Sequence, residues 1–99
     1  MTVRHVVLWR LASTDDAERA QHAARIKREL EALPAIIPGI ERLEVSRDVV
    51  GGGNADLALL ADFTGLDALA GYQSHPEHRR AGAFITSVTV GRTAADWLV

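Results

Sequence analysis

Two segments of this 99-residue sequence have the period of two that is typical of β-strands, in which alternate side chains point to opposite faces. In both segments the two faces carry apolar side chains. The segments are residues 3–11 and residues 56–63. The opposing phases are Val7 and Trp9 against Val6 and Leu8 in the first segment, and Leu57, Leu59 and Phe63 against Ala58 and Leu60 in the second. A strand of this kind needs cover on both faces of its sheet. The chain must therefore pack something against each side of a sheet.

A helix follows the first strand and has one apolar stripe. Thr14 or Asp15 can cap its N-terminus, and Pro34 and Pro38-Gly39 end it. The spacing of three and four residues predicts an inward stripe made of Ala23, Ile26, Leu30 and Leu33. A second strand is predicted over Ile40–Arg47, and Gly51-Gly52-Gly53 predicts a mobile loop between the second and third strands.

The C-terminal half contains two short helices and a last strand. Thr64 is predicted to cap a helix that runs through Tyr72. The run Ser74-His75-Pro76-Glu77 has the pattern of a capping box with proline in the first turn, so a third helix should begin there and end near Val88. Residues 93–99 are predicted to close the sheet.

The resulting order is β-α-β-β-α-β with the second helix broken in two. This is the split βαβ pattern of an α+β, ferredoxin-like fold with a four-stranded antiparallel sheet. Helices cover only one face of such a sheet, so Val6, Leu8, Ala58 and Leu60 would leave an apolar patch on the other. A second copy of the chain is the simplest cover, and we expect a homodimer of a single domain, residues 1–99.

Composition excludes several classes of partner and chemistry. The formal net charge of -2 provides no positive field for nucleic acid, and no apolar run is long enough to span a membrane. The first residues do not have the pattern of a signal peptide, so we expect a cytoplasmic protein. With no cysteine, any chemistry depends on histidine, tyrosine, carboxylates or a cofactor.

Three polar side chains are predicted to converge in an otherwise apolar space. His78 begins the inward stripe of the third helix, Tyr72 precedes the helix break, and His5 shares its strand face with Val7 and Trp9. This is the usual composition of a small-molecule pocket, and Leu57 and His75 are expected to add to its lining. For His5 and Tyr72 the structural alternative is a hydrogen-bonded core residue, and for His75 it is a helix cap.

A metal site is the less favoured interpretation of the same region. His75 and His78 are spaced i and i+3, but no third ligand is evident, and carbonyl groups of the bend near Leu33 and Ile36 offer another place for a cation. We therefore predict no metal and no cofactor.

Three motifs together resemble the stress-responsive A/B barrel family, called Dabb. They are Arg4-His5-Val6-Val7-Leu8-Trp9, Ile37-Pro38-Gly39-Ile40 and Tyr72-Gln73-Ser74-His75-Pro76-Glu77-His78. The resemblance implies a dimeric α/β barrel in which two ferredoxin-like subunits press their open sheet faces together. Some members are associated with stress, and one type is a polyketide cyclase whose catalytic tyrosine and histidine correspond to Tyr72 and His78, with His5 in the pocket. At Asn54-Ala55-Asp56-Leu57 the sequence lacks the aromatic and histidine of some relatives, which weakens the case for a polyketide substrate.

The resulting functional hypothesis is a cofactor-free cyclase or lyase that acts on a polyketide-like or other small carbonyl compound. His78 would act as a general base at neutral pH, and Tyr72 would donate a proton or hydrogen bond to the developing enolate. The alternatives are a non-catalytic ligand-binding or stress-protective dimer and, less favoured, a cofactor-independent monooxygenase.

Overall fold

The computed structural model describes residues 1–99 and contains four strands and three helices. In chain order they are β1 (Val3–Leu11), α1 (Asp16–Glu31), a 3-10 turn (Leu33–Ala35), β2 (Ile40–Arg47), β3 (Leu57–Phe63), α2 (Leu66–Ser74), α3 (Pro76–Val88) and β4 (Thr89–Leu98). All neighbouring strands are antiparallel, in the order β2-β3-β1-β4. The predicted ferredoxin-like α+β fold is confirmed. None of the helices has the length and apolar character needed to cross a membrane.

The helices pack on one face of this sheet, here called the covered face. In β1 this face carries His5, Val7 and Trp9, whose partners in β3 are Ala61, Leu59 and Leu57. All six side chains are buried, as is the predicted stripe of α1 with Leu33. Asp15 is the N-cap of α1 and accepts a hydrogen bond from the Glu18 backbone N–H (2.9 Å). The pattern of apolar residues therefore predicted the core correctly.

The opposite, open face of the sheet has no helix over it. Leu8 is 39% exposed, and Val6, Ala58 and Leu60 are partly exposed. Arg4 and Asp62 face each other across β1 and β3 on this side and make two hydrogen bonds of 2.8 and 3.0 Å. The open face is thus a mixed surface, with an ion pair beside the predicted apolar patch.

Two predicted helix caps are wrong. The residue before α2 is Gly65, with no side-chain cap, so Thr64 does not cap that helix. The N-cap of α3 is His75, whose Nδ1 accepts a hydrogen bond from the Glu77 backbone N–H (3.1 Å), so the capping box starting at Ser74 is not formed. Because Pro76 disfavours a helical conformation in the residue before it, His75 is extended and takes the cap position.

The last strand begins at Thr89, four residues earlier than predicted. A β-bulge at Gly91 allows its pairing with β1 to continue to Thr89. Trp9 pairs with Arg92 and Arg10 pairs with Val90, so Gly91 is the extra residue, with φ of +78°. Glycine adopts this backbone conformation without the steric penalty of other residues. Arg92 shares the covered face with Trp9 through the regular register of β4, and the bulge puts Val90 opposite Arg10 on the open face.

The glycine-rich loop between β2 and β3 is organised around one carboxylate. Asp48 accepts hydrogen bonds from the backbone N–H groups of Val50 and Gly51 and from the side chain of Asn54. These bonds lower the pKa of Asp48 below its ordinary value. The loop lies at the end of the sheet away from Tyr72 and His78, and its predicted mobility stays a prediction.

Candidate functional site

A cavity of about 90 Å³ lies between the covered face and the helices. The sheet contributes His5, Val7, Trp9, Leu59 and Arg92, and the helices contribute Leu30, Tyr72, His78, Gly82, Ile85 and Thr86. One face of α3 supplies four of these residues because positions 78, 82, 85 and 86 follow the helical repeat. The cavity is therefore an apolar space with a few convergent polar groups.

The break between α2 and α3 brings Tyr72 and His78 together. The chain is extended at His75, whose backbone N–H donates to the carbonyl of Tyr72 (3.2 Å), so the chain turns sharply there. The ring centres of Tyr72 and His78 are 4.4 Å apart, with 55° between the planes. Tyr72 also packs on Phe63 at 4.9 Å and edge-on to His5 at 6.3 Å. The two aromatic side chains are thus close enough to contact one small molecule.

Burial determines the protonation of this pair near pH 7. Desolvation raises the pKa of Tyr72 to about 12, an effect that the positive charge of Arg92 opposes, so the phenol stays protonated. Desolvation also lowers the pKa of His78 below its ordinary value of 6.5, against an opposing effect of the Gln73 backbone. His78 is then a neutral imidazole, and its buried Nδ1 has no hydrogen-bond partner of ordinary geometry.

His5 is positioned by a carboxylate on the neighbouring strand. The register places Asp96 opposite His5, and Nδ1 of His5 is hydrogen-bonded to the Asp96 carboxylate. His5 is buried, whereas 40% of the Asp96 side chain is exposed. The bond fixes the ring and leaves Nε2 as the ring nitrogen that is not bound to Asp96.

A family model for the stress responsive A/B barrel domain matches residues 3–99 of the chain. The chain belongs to this family. No curated protein matches the sequence.

The Dabb fold recurs in solved structures. A dimeric protein of unknown function with a ferredoxin-like fold from Bacteroides fragilis is 32% identical, with a TM-score of 0.90 over 97% of this chain and 94% of that chain. A dimeric ferredoxin-like protein of unknown function from Thermobifida fusca is also 32% identical, with a TM-score of 0.84 over 100% of this chain and 92% of that chain. These relatives have the same fold as this Dabb chain.

Two enzymes are more distant in sequence. A hydroxynitrile lyase from Passiflora edulis is 14% identical, with a TM-score of 0.81 over 99% of this chain and 93% of that chain. SnoaB, a cofactor-independent oxygenase from Streptomyces nogalater, is 15% identical, with a TM-score of 0.79 over 99% and 92% of the respective chains. At this identity the likeness shows the fold alone.

Five of the seven residues predicted for the Dabb pocket line the cavity: His5, Val7, Trp9, Tyr72 and His78. The other two do not. Leu57 is buried opposite Trp9 and borders two other grooves, but not this cavity. His75 caps α3. Their predicted contact with substrate therefore has no support in the cavity wall.

Sequence patterns missed Arg92, Asp96 and the cavity-lining Gly82. Arg92 lay outside the predicted last strand, so its register with β1 could not be derived. The signal that could have found it is the period of two in β4, because Arg92, Ala94 and Asp96 share one phase of the strand. A methyl group added at Gly82 would meet no atom within 4 Å, so this part of α3 is open.

Two of the groups considered for metal binding are engaged in hydrogen bonds. No group of three or more His, Asp or Glu side chains lies close enough to hold a metal ion. Nδ1 of His75 accepts the Glu77 N–H, and the carbonyl of Leu33 accepts two backbone N–H groups, from Ile36 and Ile37.

Proposed function

We propose that this Dabb protein is a homodimer that binds a small carbonyl compound in the cavity of each subunit and transfers a proton at the carbon beside the carbonyl. The reaction would need no cofactor and would belong to the lyase or cyclase class. The observation that carries the proposal is the half-buried imidazole of His78, whose buried Nδ1 has no hydrogen-bond partner, against the protonated phenol of Tyr72 in a cavity wall. An acid and a base with separate protonation states then face one ligand.

His78 is the general base of this proposal. Its pKa lies below 6.5, so the imidazole is neutral at pH 7 and can accept a proton. The proton moves from the α-carbon to an imidazole nitrogen, the electron pair of the broken C–H bond forms the C=C bond of the enolate, and the π pair of the carbonyl moves onto its oxygen. The base returns the proton at the end of the cycle, so protons and electrons balance without another reactant.

Tyr72 is the hydrogen-bond donor to the enolate oxygen. No hydrogen bond from the chain contributes to the pKa of the Tyr72 hydroxyl. The pKa of about 12 keeps the proton on the oxygen at neutral pH. A donor aimed at a developing oxyanion in a site with little water is a strong source of rate enhancement. His5, held by Asp96, would bind a second polar atom of the substrate.

The size of the cavity favours a substrate much smaller than a polyketide. Pockets that enclose drug-sized ligands have volumes of roughly 300–1,000 Å³, and a cavity of roughly 150 Å³ holds benzene. At about 90 Å³ the space fits a molecule of a few heavy atoms. We therefore propose a small carbonyl compound in place of the polyketide that the resemblance implied.

Proton transfer can be tested without knowledge of the natural substrate. The exchange of the methyl protons of pyruvate for deuterium in D₂O, followed by NMR, should be faster with the protein than without it. His78→Gln should reduce the protein-dependent rate by at least about tenfold. His22→Gln is the matched control, because Nδ1 of His22 is also buried and unpartnered but its ring packs on Phe84 outside the cavity. Equal rates in the two variants would contradict the role of His78.

The dimer is proposed from the open face of the sheet and from the relatives described as dimeric. Leu8 is 39% and Trp97 is 46% exposed, and both lie on the open face, where a second copy would cover them. The B. fragilis and T. fusca relatives are described as dimeric. Two open faces packed together would form the barrel for which the family is named.

Light scattering after size exclusion should give twice the 10.7 kDa mass of one chain. Leu8→Glu buries a charge in the proposed interface and should give a monomer. Leu66→Glu is the control, because Leu66 is 60% exposed at the start of α2, away from the open face. A wild-type mass of 10.7 kDa would contradict the dimer.

A ligand-binding role without catalysis is the second candidate. It is favoured by the aromatic packing of Tyr72 on Phe63 and His5, because such a cluster also stabilises a core. A protein of this kind would bind pyruvate, with chemical-shift changes at the cavity, and leave its proton exchange at the background rate.

A further inference from the structure

Arg92 is the cation of the cavity wall that has no anionic partner. Its side chain lines the cavity beside Trp9, and none of the ion pairs of the chain includes it. Its positive charge reaches the pair described above: it opposes the rise that desolvation causes in the pKa of Tyr72, and it adds to the lowering that desolvation causes in the pKa of His78. An unpaired guanidinium at an apolar cavity attracts an anion.

The other charged groups of the cavity leave this cation uncompensated. Asp96 lies four residues further along β4 on the same face, and its carboxylate is bound to His5. Arg92 therefore lies in the cavity wall beside Trp9, whereas Asp96 lies beside His5 and outside the cavity lining. His78 and Tyr72, which also line the cavity, are neutral near pH 7.

The register of β4 places Arg92 on the covered face. From Leu98 to Arg92 the strand pairs with β1 without interruption, so every second residue faces the helices and Arg92 lies opposite Trp9. The bulge at Gly91 then puts Val90 opposite Arg10 of the other phase. Arg92 is thus the last residue of this regular alternation, at the edge of the cavity.

We propose that the substrate is a small monoanionic carbonyl compound whose carboxylate is bound by Arg92, which makes Arg92 the specificity-determining residue of the site. This inference rests on the proposed function for the carbonyl chemistry and adds the charge of the substrate. The planar guanidinium can hold a carboxylate through two parallel hydrogen bonds. The bound carboxylate would place the adjacent carbonyl toward Tyr72. The carbon on the other side of that carbonyl, which loses the proton, would then lie toward His78.

The test compares two ligands of nearly equal shape, pyruvate and the neutral butane-2,3-dione, in chemical-shift titrations of the ¹⁵N-labelled protein. Wild-type protein should bind pyruvate at least about tenfold more tightly than the dione. Arg92→Gln should remove this preference by weakening pyruvate binding, and Arg92→Lys should retain part of it because the charge remains. Arg79→Gln is the control with the same change of charge, since Arg79 is exposed on α3 and outside the cavity.

The outcomes separate the charge of the ligand from catalysis. Equal binding of the two ligands by the wild type, or pyruvate binding unchanged in Arg92→Gln, would overturn the inference. Binding of pyruvate through Arg92 without proton exchange would support the inference and refute the catalytic part of the proposed function. If Arg92→Gln and Arg92→Lys have the same Tm as the wild type, any loss of binding comes from the site and not from loss of the fold.

Discussion

Replacement of Tyr72 by phenylalanine should separate function from stability. The ring is only 1% exposed and packs on Phe63 and His78, and phenylalanine retains that packing. A hydrogen bond within a protein contributes about 1 kcal/mol to its stability. No hydrogen bond is among the causes of the pKa shift of Tyr72, so phenylalanine should not lose that contribution. The free energy of unfolding should therefore fall by less than about 0.5 kcal/mol, a shift of only a few degrees in Tm.

The same substitution should strongly affect catalysis, because it removes the proposed donor to the enolate oxygen. Loss of one such donor typically reduces rate by about 10²–10³-fold, so the protein-dependent exchange of pyruvate protons should fall at least about tenfold. Tyr72→Ala is the contrasting variant, because deletion of a buried aromatic ring should cost about 3–5 kcal/mol. Tyr72→Phe with an unchanged exchange rate would refute the donor role, and a loss of more than about 1 kcal/mol would show that the hydroxyl stabilises the fold.

Three further predictions concern α3. The pKa of His78 is lower in the folded chain than its ordinary value of 6.5, so the unfolded chain binds more protons below that value and stability should decline as pH falls below 6.5. Urea unfolding between about pH 5 and 8 should show this dependence in wild type but not in His78→Gln, and identical profiles would contradict it. Gly82→Leu should fill the cavity and abolish pyruvate binding, whereas Gly71→Leu, on an open part of α2 outside the cavity, should not. Gly82→Ala should raise stability by up to about 1 kcal/mol, because its Cβ meets no neighbour and alanine favours a helix.

The fold was predictable because its core depends on local periodicity. In β1 and β3 apolar residues occupy both faces of the strand, and in α1 they repeat at helical spacing. These patterns predict which face of each element is buried. His78 and Tyr72 were found in the same way, as members of buried helical faces near a proline-marked break. Their separation of 4.4 Å depends on the extended conformation at His75, which Pro76 determines locally.

Sequence patterns failed where two local signals competed or where pairing set the outcome. Ser74 and His75 both precede a proline, and the capping-box pattern selected Ser74, although the conformational restriction before Pro76 selects His75. The Arg4–Asp62 ion pair depends on register between two strands, which periodicity alone does not fix. The open face therefore carries an ion pair beside the apolar patch that the pattern predicted.

The two parts of the proposed site were unequally visible in the sequence for a physical reason. Tyr72 and His78 lie on helices that pack against the core, so burial gives them a recognisable pattern. Arg92 and Asp96 lie on β4, an edge strand exposed along almost its whole length, and exposed positions leave no hydrophobic period. Only the antiparallel register with β1 brings the two charges beside Trp9 and His5. The groups proposed for proton transfer thus come from the covered helices, and the group proposed for substrate recognition comes from the strand that the helices leave uncovered.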